Sequence, residues 1–445
     1  MNRADLESLS KEQLIELVLN MAQQVADLKA RLELPAKTPE NSSLPPSQGR
    51  KPAVERKRKG RRRKGRPGVA RALDPNPTTV REVHVDCCPH CRGDVAAVAQ
   101  APCASYDHIE IPPIRPEVTR VTLMGGTCPH CARAFKAAAP ADMAPGSPFG
   151  PNLRALALHL RFSQGIGFDR LEGVFRDVFG LAISQGALVN LARAAAAPFA
   201  AQAARLADRL RSSPVLASDE TGLRVGGKNG WFWVVHHADT AVFRADPSRA
   251  KRVLEGFLGE HRPAFWISDR YGGQKGLAKS GHQFCLAHLI RDAQYAADAG
   301  DTGFAPGFLA LLKRACRLGR VRDRLSDDQL DACHRKFVKK LSELLQRPPT
   351  HAKGAKLQKA MARGRGNLFL FVTNRALEPT NNGSERALRP CVTFRKITGG
   401  FRTAWGAELY ADIRSVLETA RRRAIPPLQA IHLTLDTRPL PLPSA

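Results

Sequence analysis

Two aspartates and a glutamate are the side chains of this sequence best placed to do chemistry. Asp219 follows the apolar run Val215–Ala217, and Asp269 follows Phe265–Ser268, so each is expected to end a buried strand. Glu385 lies far downstream in the segment NNGSER. Carboxylate oxygens are preferred ligands of Mg²⁺, and pairs of such ions promote cleavage and transfer of phosphodiesters. Three acids converging from distant positions would suit that chemistry.

Each carboxylate also has an ordinary structural interpretation. A lone Asp at a strand end is often a turn residue. The segment Asn382-Gly-Ser-Glu385 fits a helix N-cap followed by Glu at the third position, and Glu385 can pair with Arg389 four residues later. Glu220 is expected to face away from Asp219, because successive side chains of a strand point to opposite faces. Spacing alone leaves these alternatives open.

Cysteines form a second constellation, two Cys-Pro-His-Cys pairs separated by 36 residues. Four thiolates with this spacing can surround one Zn²⁺ tetrahedrally, which leaves no open position for catalysis, so the site is predicted to be structural. The alternatives are thiols packed in a core or a redox pair. The predicted ligands are Cys88, Cys91, Cys128 and Cys131. Since these complete a tetrahedron, the neighbours interpreted as non-ligands are Cys87, His90, Cys103 and His130.

The charge of the chain indicates a polyanionic partner. The formal net charge is +28 over 445 residues, and twelve Lys or Arg with one acid lie between Arg50 and Arg71. A disordered basic segment of this kind can bind phosphates through counterion release, without sequence choice. Nucleic acid is therefore the expected partner, and a solvated charge run without a partner is the alternative.

Nothing in the sequence predicts export or membrane insertion. The N-terminal segment MNRADLESLS is polar, and no run reaches the roughly 18 apolar residues that a membrane span needs. We therefore expect an intracellular, cytoplasmic protein without membrane contact, associated with the nucleoid if its partner is DNA.

The first segment carries apolar residues at alternating intervals of four and three. This spacing is the a/d seam of a short coiled coil and predicts a homodimer or higher oligomer, although an amphipathic helix packing on its own protein would show the same pattern. The seam residues are Leu14, Val18, Met21, Val25, Leu28 and Leu32.

From Pro151 the pattern becomes helical, with Gly180 as a predicted C-cap and Ser184 as a predicted N-cap across a short turn. This is helix-turn-helix spacing, typical of DNA-groove binding or equally of a plain helical bundle. In the cysteine module, the alternation in His108–Ile111 and Val118–Leu123 predicts strands. From Val215 the sequence reads as mixed α/β, and between Asp301 and Leu377 as mostly helical and basic.

Motifs in a fixed order resemble the transposases of the insertion-sequence-66 family over nearly the whole chain. After a leucine-patterned start, they are NSSLPPSQ before a basic tract, the two Cys-x-x-Cys pairs, SDET, SDRYGG, CLAHLIRD, NNGSERALRP and RKITGG. Two segments depart from the family pattern, the arginine-rich GRRRKGRPGVAR and the block RKITGGFRTAWGAE. These departures bear on DNA contacts rather than on the carboxylates.

The resemblance implies roles for individual residues. It makes Asp219, Asp269 and Glu385 catalytic ligands of Mg²⁺ or Mn²⁺. Its Cys-x-x-His motif matches Cys285 and His288, here preferred as a packed thiol and a hydrogen-bonding histidine over a second metal site. The residues expected to support the site, by positioning Glu385 or the DNA, are Cys285, His288, Arg291, Asn381, Asn382 and Arg386. The expected DNA contacts are Arg61, Arg62, Arg63, Lys64, Arg395, Lys396 and Arg402.

The fold class implied by the resemblance is multidomain, with an RNase H-like α/β catalytic core and a helical insertion. The domains predicted on this basis are residues 1–35 (coiled-coil helix), 36–78 (disordered basic linker), 79–145 (zinc-binding module), 146–212 (helical, helix-turn-helix-like DNA-binding region), 213–300 (first part of the core), 301–378 (helical insertion), 379–432 (part of the core bearing Glu385) and 433–445 (tail).

The activity that the resemblance implies is DNA transposition. Water would attack the ends of an insertion sequence with metal assistance, and the freed 3′-hydroxyl would then attack target DNA. The expected partners are terminal inverted repeats, target DNA and companion proteins of the same element. Two alternatives are a zinc-dependent DNA-binding protein without a working catalytic centre, and a nuclease of the same fold that cuts without joining.

Overall fold

The computed structural model describes residues 10–32, 34–42, 71–143 and 145–443. The chain divides into two compact units. The larger unit comprises Met1–Arg50, Arg120–Gly173 and Ile183–Ala445, and the smaller unit comprises Lys51–Thr119 and Val174–Ala182. The predicted DNA contacts Arg61, Arg62, Arg63 and Lys64 lie outside the described residues.

A five-stranded mixed sheet forms the centre of the larger unit, in the order β5-β4-β3-β6-β7. Strands β3, β4 and β5 form an antiparallel meander, whereas β6 pairs in parallel with both β3 and β7. The mixed α/β core expected from the sequence is confirmed. The strands are β3 (Val215–Val225), β4 (Lys228–His237), β5 (Thr240–Asp246), β6 (Phe265–Ser268) and β7 (Gly281–Phe284).

Both faces of this sheet are covered, because its strands carry apolar side chains on both sides. Within β4, Phe232 and Val234 pack in one cluster while Trp233 and Val235 pack in another. The helices among the described residues are α1 (Lys11–Leu32), α2 (Pro151–Leu158), α3 (Phe168–Phe179), α4 (Gln185–Ala194), α5 (Ala196–Arg211), α6 (Arg252–Leu258), α7 (Leu286–Asp298), α8 (Ala305–Gly319), α9 (Asp327–Leu345), α10 (Ala352–Arg363), α11 (Leu370–Thr373), α12 (Asn382–Thr398), α13 (Ala404–Arg422) and α14 (Pro427–Leu435).

The predicted helix caps near residue 180 are confirmed. Gly180 follows α3 with a φ of +64°, in the left-handed region that glycine adopts readily. The side chain of Ser184 accepts a hydrogen bond from the backbone N–H of Ala187 and caps α4. Whether these helices enter a DNA groove stays a prediction.

The helical insertion lies between α7 and α12 and comprises α8 to α11. Its apolar side chains share one core with α7 and with Val215, Ala217 and Ile267 of the sheet. Arg322 is buried, and its guanidinium donates to the backbone carbonyls of Phe371 and Arg375, each at 2.8 Å. This arginine therefore fixes the chain as it returns from the insertion toward α12.

The strands predicted in the cysteine module are wrong. His108–Ile111 and Val118–Leu123 are irregular, and the strand pair of that region lies just beyond them, β1 (Gly125–Thr127) with β2 (Ala134–Lys136). An alternating pattern makes a strand only where a neighbour accepts its hydrogen bonds and covers its apolar face. Here the side chains stay open to solvent, with Val118 86% exposed.

Helix α1 confirms the helix predicted over the leucine-patterned segment, but nothing tests its predicted pairing with a second copy. Its side chains Val18, Met21 and Val25 are exposed, so the coiled coil with a second copy stays a prediction. Within the described part of the chain, no helix is both long and apolar enough to cross a membrane.

Candidate active site

Asp219 and Asp269 lie on neighbouring parallel strands. Val215 pairs with Phe265 and Ala217 pairs with Ile267, so two further residues along each strand lead to Asp219 and Asp269. Because side chains alternate along a strand, Asp219 shares the face of Ala217, which the insertion and α7 cover. The sheet register thus brings Asp269, just past the end of β6, near Asp219 of β3, which agrees with the effect of Asp269 on the pKa of Asp219.

The surroundings of Asp219 oppose its negative charge. Burial, followed by the nearby carboxylates of Glu220 and Asp269, raises the pKa of Asp219 well above its usual value, and Glu385 adds a smaller contribution in the same direction. The backbone N–H of Glu220 donates to the Asp219 Oδ1 atom at 2.9 Å and partly compensates. All three predicted carboxylates therefore influence a common region of the molecule.

Glu220 faces the other side of β3, as strand alternation predicts. Its carboxylate accepts hydrogen bonds from Arg249 Nε and from Gln274 Nε2, each at 2.8 Å. The Arg249 guanidinium also lies over the Tyr271 ring, 4.0 Å from its centroid. Glu220 is thus held by Arg249 and Gln274 on the other face of β3, although its charge still raises the pKa of Asp219.

Glu385 lies in the first turn of α12 and is engaged by two side chains of α7. Its Oε1 atom is 3.1 Å from Arg291 NH2 and 3.7 Å from His288 Nε2. Burial lowers the pKa of His288, and neighbouring Arg291 adds to that effect. The pairing of Glu385 with Arg389 considered from the sequence is replaced by this contact across two helices.

The N-cap predicted at Asn382 lies one residue earlier. Helix α12 begins at Asn382 with Asn381 in the cap position, and the Asn381 side chain makes no capping hydrogen bond. Its Oδ1 atom, the acceptor that a cap would use, takes the Ser384 hydroxyl at 2.6 Å, and its Nδ2 atom donates to the Ser218 carbonyl at 2.8 Å. The capping-box interpretation of Glu385 is therefore wrong, while Asn382 and Arg386 are exposed on the same turn.

Cys285 sits beneath this turn. The thiol is 1% exposed, and its sulfur accepts the backbone N–H of Asn381 at 3.1 Å. Burial raises the pKa of Cys285 to about 11, so the thiol stays protonated at neutral pH. These contacts agree with a packed thiol that supports the start of α12.

The donor set around Asp219 has the chemistry of a divalent-cation site. Burial and the nearby carboxylates raise the pKa of Asp219, an electrostatic conflict that a divalent cation relieves. Among the residues that the structure describes, however, no three His, Cys, Asp or Glu side chains stand in a ready metal-binding arrangement. Glu385 is turned to Arg291 instead.

The predicted DNA contacts around Arg395 are placed unequally. Arg395 is half-buried and donates to the backbone carbonyl of Gly222, whereas Lys396 and Arg402 are exposed. Gly399 ends α12 with a φ of +71°, and a Cβ atom on Gly400 would come within 2.7 Å of the Arg224 carbonyl oxygen. The left-handed backbone at Gly399 and the close approach at Gly400 thus explain the two glycines of RKITGG.

The first Cys-Pro-His-Cys pair forms a tight turn in the smaller unit. The N–H of Cys88 donates to the Gly93 carbonyl at 2.9 Å, and the N–H of Arg92 donates to the Cys88 carbonyl at 2.8 Å. The backbone N–H groups of Cys91 and then His90 lower the pKa of Cys88, because they stabilise the thiolate.

The second pair, in the larger unit, repeats this turn. The N–H of Cys128 donates to the Arg133 carbonyl at 2.9 Å, and the N–H of Ala132 donates to the Cys128 carbonyl at 2.8 Å. The backbone N–H groups of His130 and then Cys131 lower the pKa of Cys128. Each turn by itself therefore favours a thiolate, the form in which cysteine binds metal.

Sequence reasoning missed His236, which contacts the first turn of α12, and Ser384, which lies in that turn. Their signal is weak, because a histidine within a strand and a serine within a helix turn are common structural residues. They belong to the site only because the fold brings these two residues, distant in the sequence, into contact.

Comparison with known proteins gives the family. No curated protein matches the chain. The family model described as "Transposase IS66 family" matches residues 146–409. That range is more than half of the chain and contains the sheet, both aspartates, the insertion and the turn bearing Glu385. The chain belongs to the Transposase IS66 family.

Proposed function

We propose that this protein is a DNA transposase of the aspartate-aspartate-glutamate type, which cuts the ends of an insertion sequence and joins them to target DNA. The supporting observation is the register of β3 and β6, which brings Asp269 near Asp219. Family membership supports transposition in general. Asp219, Asp269 and Glu385 are the proposed ligands of the metal ions.

When bound, Mg²⁺ or Mn²⁺ would activate the attacking oxygen and stabilise the leaving oxygen of a phosphodiester. The residues of the chain bind and orient. Asp219 and Asp269 supply fixed anionic ligands from the rigid sheet, and Glu385 supplies a third from α12. Arg291 and His288 hold Glu385 in the arrangement seen here, so the glutamate has to exchange Arg291 for the cation.

The strand arrangement supports an RNase H-like interpretation of the core. That interpretation requires an antiparallel meander followed by parallel strands added beside the first strand, and the observed order β5-β4-β3-β6-β7 fits it. The insertion between α7 and α12 fits the expected position of the helical insertion.

The partners follow from the same proposal. DNA would be bound by the basic segments, and α1 would join protomers on two element ends. One structural Zn²⁺ would be held by Cys88, Cys91, Cys128 and Cys131. Companion proteins of the same element and association with the nucleoid belong to the proposal as well.

A strand-transfer assay tests the function. The substrate is a duplex taken from the DNA bordering the coding region, with a pre-cut 3′-hydroxyl end, mixed with supercoiled plasmid and Mn²⁺. The wild type should join the duplex to the plasmid, and Asp269→Ala should lower joining about 1000-fold or more, because it removes a metal ligand. Asp208→Asn is the control, since Asp208 is an exposed residue paired with Arg211 on α5.

Each alternative gives a different result. Nicking that depends on Asp269, without joined product, would identify a nuclease. DNA binding without any cleavage that depends on Asp269 would identify a binding protein and contradict the proposed function.

A further inference from the structure

A chain of side-chain hydrogen bonds ties the turn bearing Glu385 to the sheet. The Asn381 Nδ2 atom donates to the Ser218 carbonyl at 2.8 Å, and the Ser384 hydroxyl donates to Asn381 Oδ1 at 2.6 Å. The Ser384 oxygen also lies 2.8 Å from His236 Nε2. All four residues are buried.

The direction of each hydrogen bond is fixed by the donors available. Because the amide nitrogen of Asn381 faces a carbonyl, its oxygen faces Ser384 and must accept. The hydroxyl has a single proton, which it gives to that oxygen, so His236 must donate from Nε2. His236 is therefore held as the neutral tautomer protonated at Nε2, which agrees with its buried Nδ1 atom having no hydrogen-bond partner among the described residues.

Neutral His236 is also favoured by its surroundings. Burial lowers the pKa of His236 well below its usual value, and the cations of Arg422, Arg386 and Arg421 add to this, together with His237. The imidazole thus stays a fixed hydrogen-bond donor across the neutral pH range.

Close approach explains the glycine of the NNGSER segment. A Cβ atom on Gly383 would lie 2.9 Å from His236 Cε1, which is closer than real Cβ contacts. The helix can therefore rest against the histidine only because residue 383 has no side chain.

Two members of this hydrogen-bond chain stand just before predicted metal ligands. Ser218 precedes Asp219 and Ser384 precedes Glu385. We propose that His236 and Ser384 are positioning residues that hold Glu385 in place relative to Asp219. This inference rests on the proposed function, because it gives Glu385 a role that depends on its position.

The protein offers a matched pair for comparison. The next residue of β4, His237, forms a hydrogen bond between its Nδ1 atom and the Ser213 hydroxyl, 2.7 Å apart. Ser213 precedes β3 and does not adjoin a carboxylate of the site. Removing this second His–Ser hydrogen bond perturbs the neighbouring residue of β4 without affecting the site, and the Tm of each variant reports its own cost to the fold.

Mn²⁺ binding to the full-length protein tests the inference. Free Mn²⁺ is measured by electron paramagnetic resonance during titration, and the melting temperature Tm of every variant is recorded. Ser384→Ala and His236→Leu should weaken Mn²⁺ binding about tenfold or more, as loss of a partner behind a metal ligand does. His236→Gln should restore most of the affinity, since its amide nitrogen can donate near the position of Nε2, and Ser213→Ala should bind as the wild type.

The outcomes separate this inference from the proposed function. If Asp219→Asn weakens Mn²⁺ binding but a folded Ser384→Ala variant binds as the wild type, the positioning role is overturned while the metal site stands. If Asp219→Asn binds as the wild type, the carboxylate site itself is overturned, and the inference falls with it. If His236→Leu fails to fold, the Ser384→Ala variant, which lacks only one hydroxyl, still tests the positioning role.

Discussion

At the scale of single residues, the charged form of Asp219 lowers the stability of the folded protein. Its carboxylate is held among Glu220 and Asp269 in a position that burial makes unfavourable for charge. Charged groups kept in such conflict are common at functional sites, where a ligand relieves the conflict. Burial also raises the pKa of the neighbouring Glu220, but hydrogen bonds from Arg249 and Gln274 partly compensate for it there.

We expect Asp219→Asn to stabilise the protein at neutral pH, by about 0.5–2 kcal/mol. The folded-state pKa of Asp219 is raised, so its contribution to stability is fully present below the unfolded-state pKa of Asp and is lost as pH rises through the folded-state value. The Tm difference between variant and wild type should therefore grow as pH rises from about 4.

Thermal unfolding across that pH range checks this expectation, with Asp208→Asn as the exposed control. Mn²⁺ should raise the Tm of the wild type and not that of Asp219→Asn. A stability gain independent of pH would show that the side-chain charge is not its cause.

At the scale of elements, the two Cys-Pro-His-Cys turns repeat one hydrogen-bond pattern. In each, two backbone N–H groups lower the pKa of the first thiol. The segment 71–119 around the first turn has almost no buried side chains. The proposed zinc ion would supply the stability that a core does not provide here.

Zinc content should follow these thiolates. Purified protein should hold one zinc per chain by elemental analysis, and Cys88→Ser or Cys128→Ser should each remove it, because three thiolates leave the tetrahedron incomplete. Cys103→Ser is the matched control, an exposed cysteine outside the two pairs. Zinc retained by Cys88→Ser would contradict the ligand set.

At the scale of the whole molecule, the positive charge is unevenly placed. From Leu344 to Leu377 the chain has seven Lys or Arg and no acid. Within α10 the buried face carries Leu357 and Met361, while Lys356, Lys359 and Arg363 are exposed. Helix α10 shares a core with α7, the helix that bears His288 and Arg291. We propose that this row of exposed cations on α10 contacts the DNA backbone.

Neutralising this row should weaken DNA binding and make it less dependent on salt. We expect the triple variant Lys356→Gln, Lys359→Gln, Arg363→Gln to reduce the slope of log affinity against log salt by about 0.9 for each DNA phosphate that the variant no longer neutralises. Binding is measured by fluorescence anisotropy with a random-sequence duplex, without added Mg²⁺ or Mn²⁺. The control removes the same charge from α9, where acids are interspersed: Arg335→Gln, Lys336→Gln, Lys339→Gln. Equal weakening in both variants would assign the effect to net charge alone.

Sequence by itself determined the features that depend on neighbouring residues. The strand that ends just before Asp269, the caps at Gly180 and Ser184, and the mixed α/β core follow from local periodicity and backbone hydrogen bonding. The expectation that Asp219 also ends a strand is wrong, because β3 continues to Val225 in its pairing with β4. The motif order was also sufficient to indicate the family. These properties need no knowledge of what packs against the chain.

Only the tertiary structure decided the contacts that cross the fold. It paired Glu385 with Arg291 rather than Arg389, gave the Asn381 side chain to Ser218, and brought His236 against Gly383. It also left Val118 exposed where alternation predicted a strand. The physical reason is that a donor, a charge or an apolar face takes the best partner in space, and the packing of distant segments determines which partner that is.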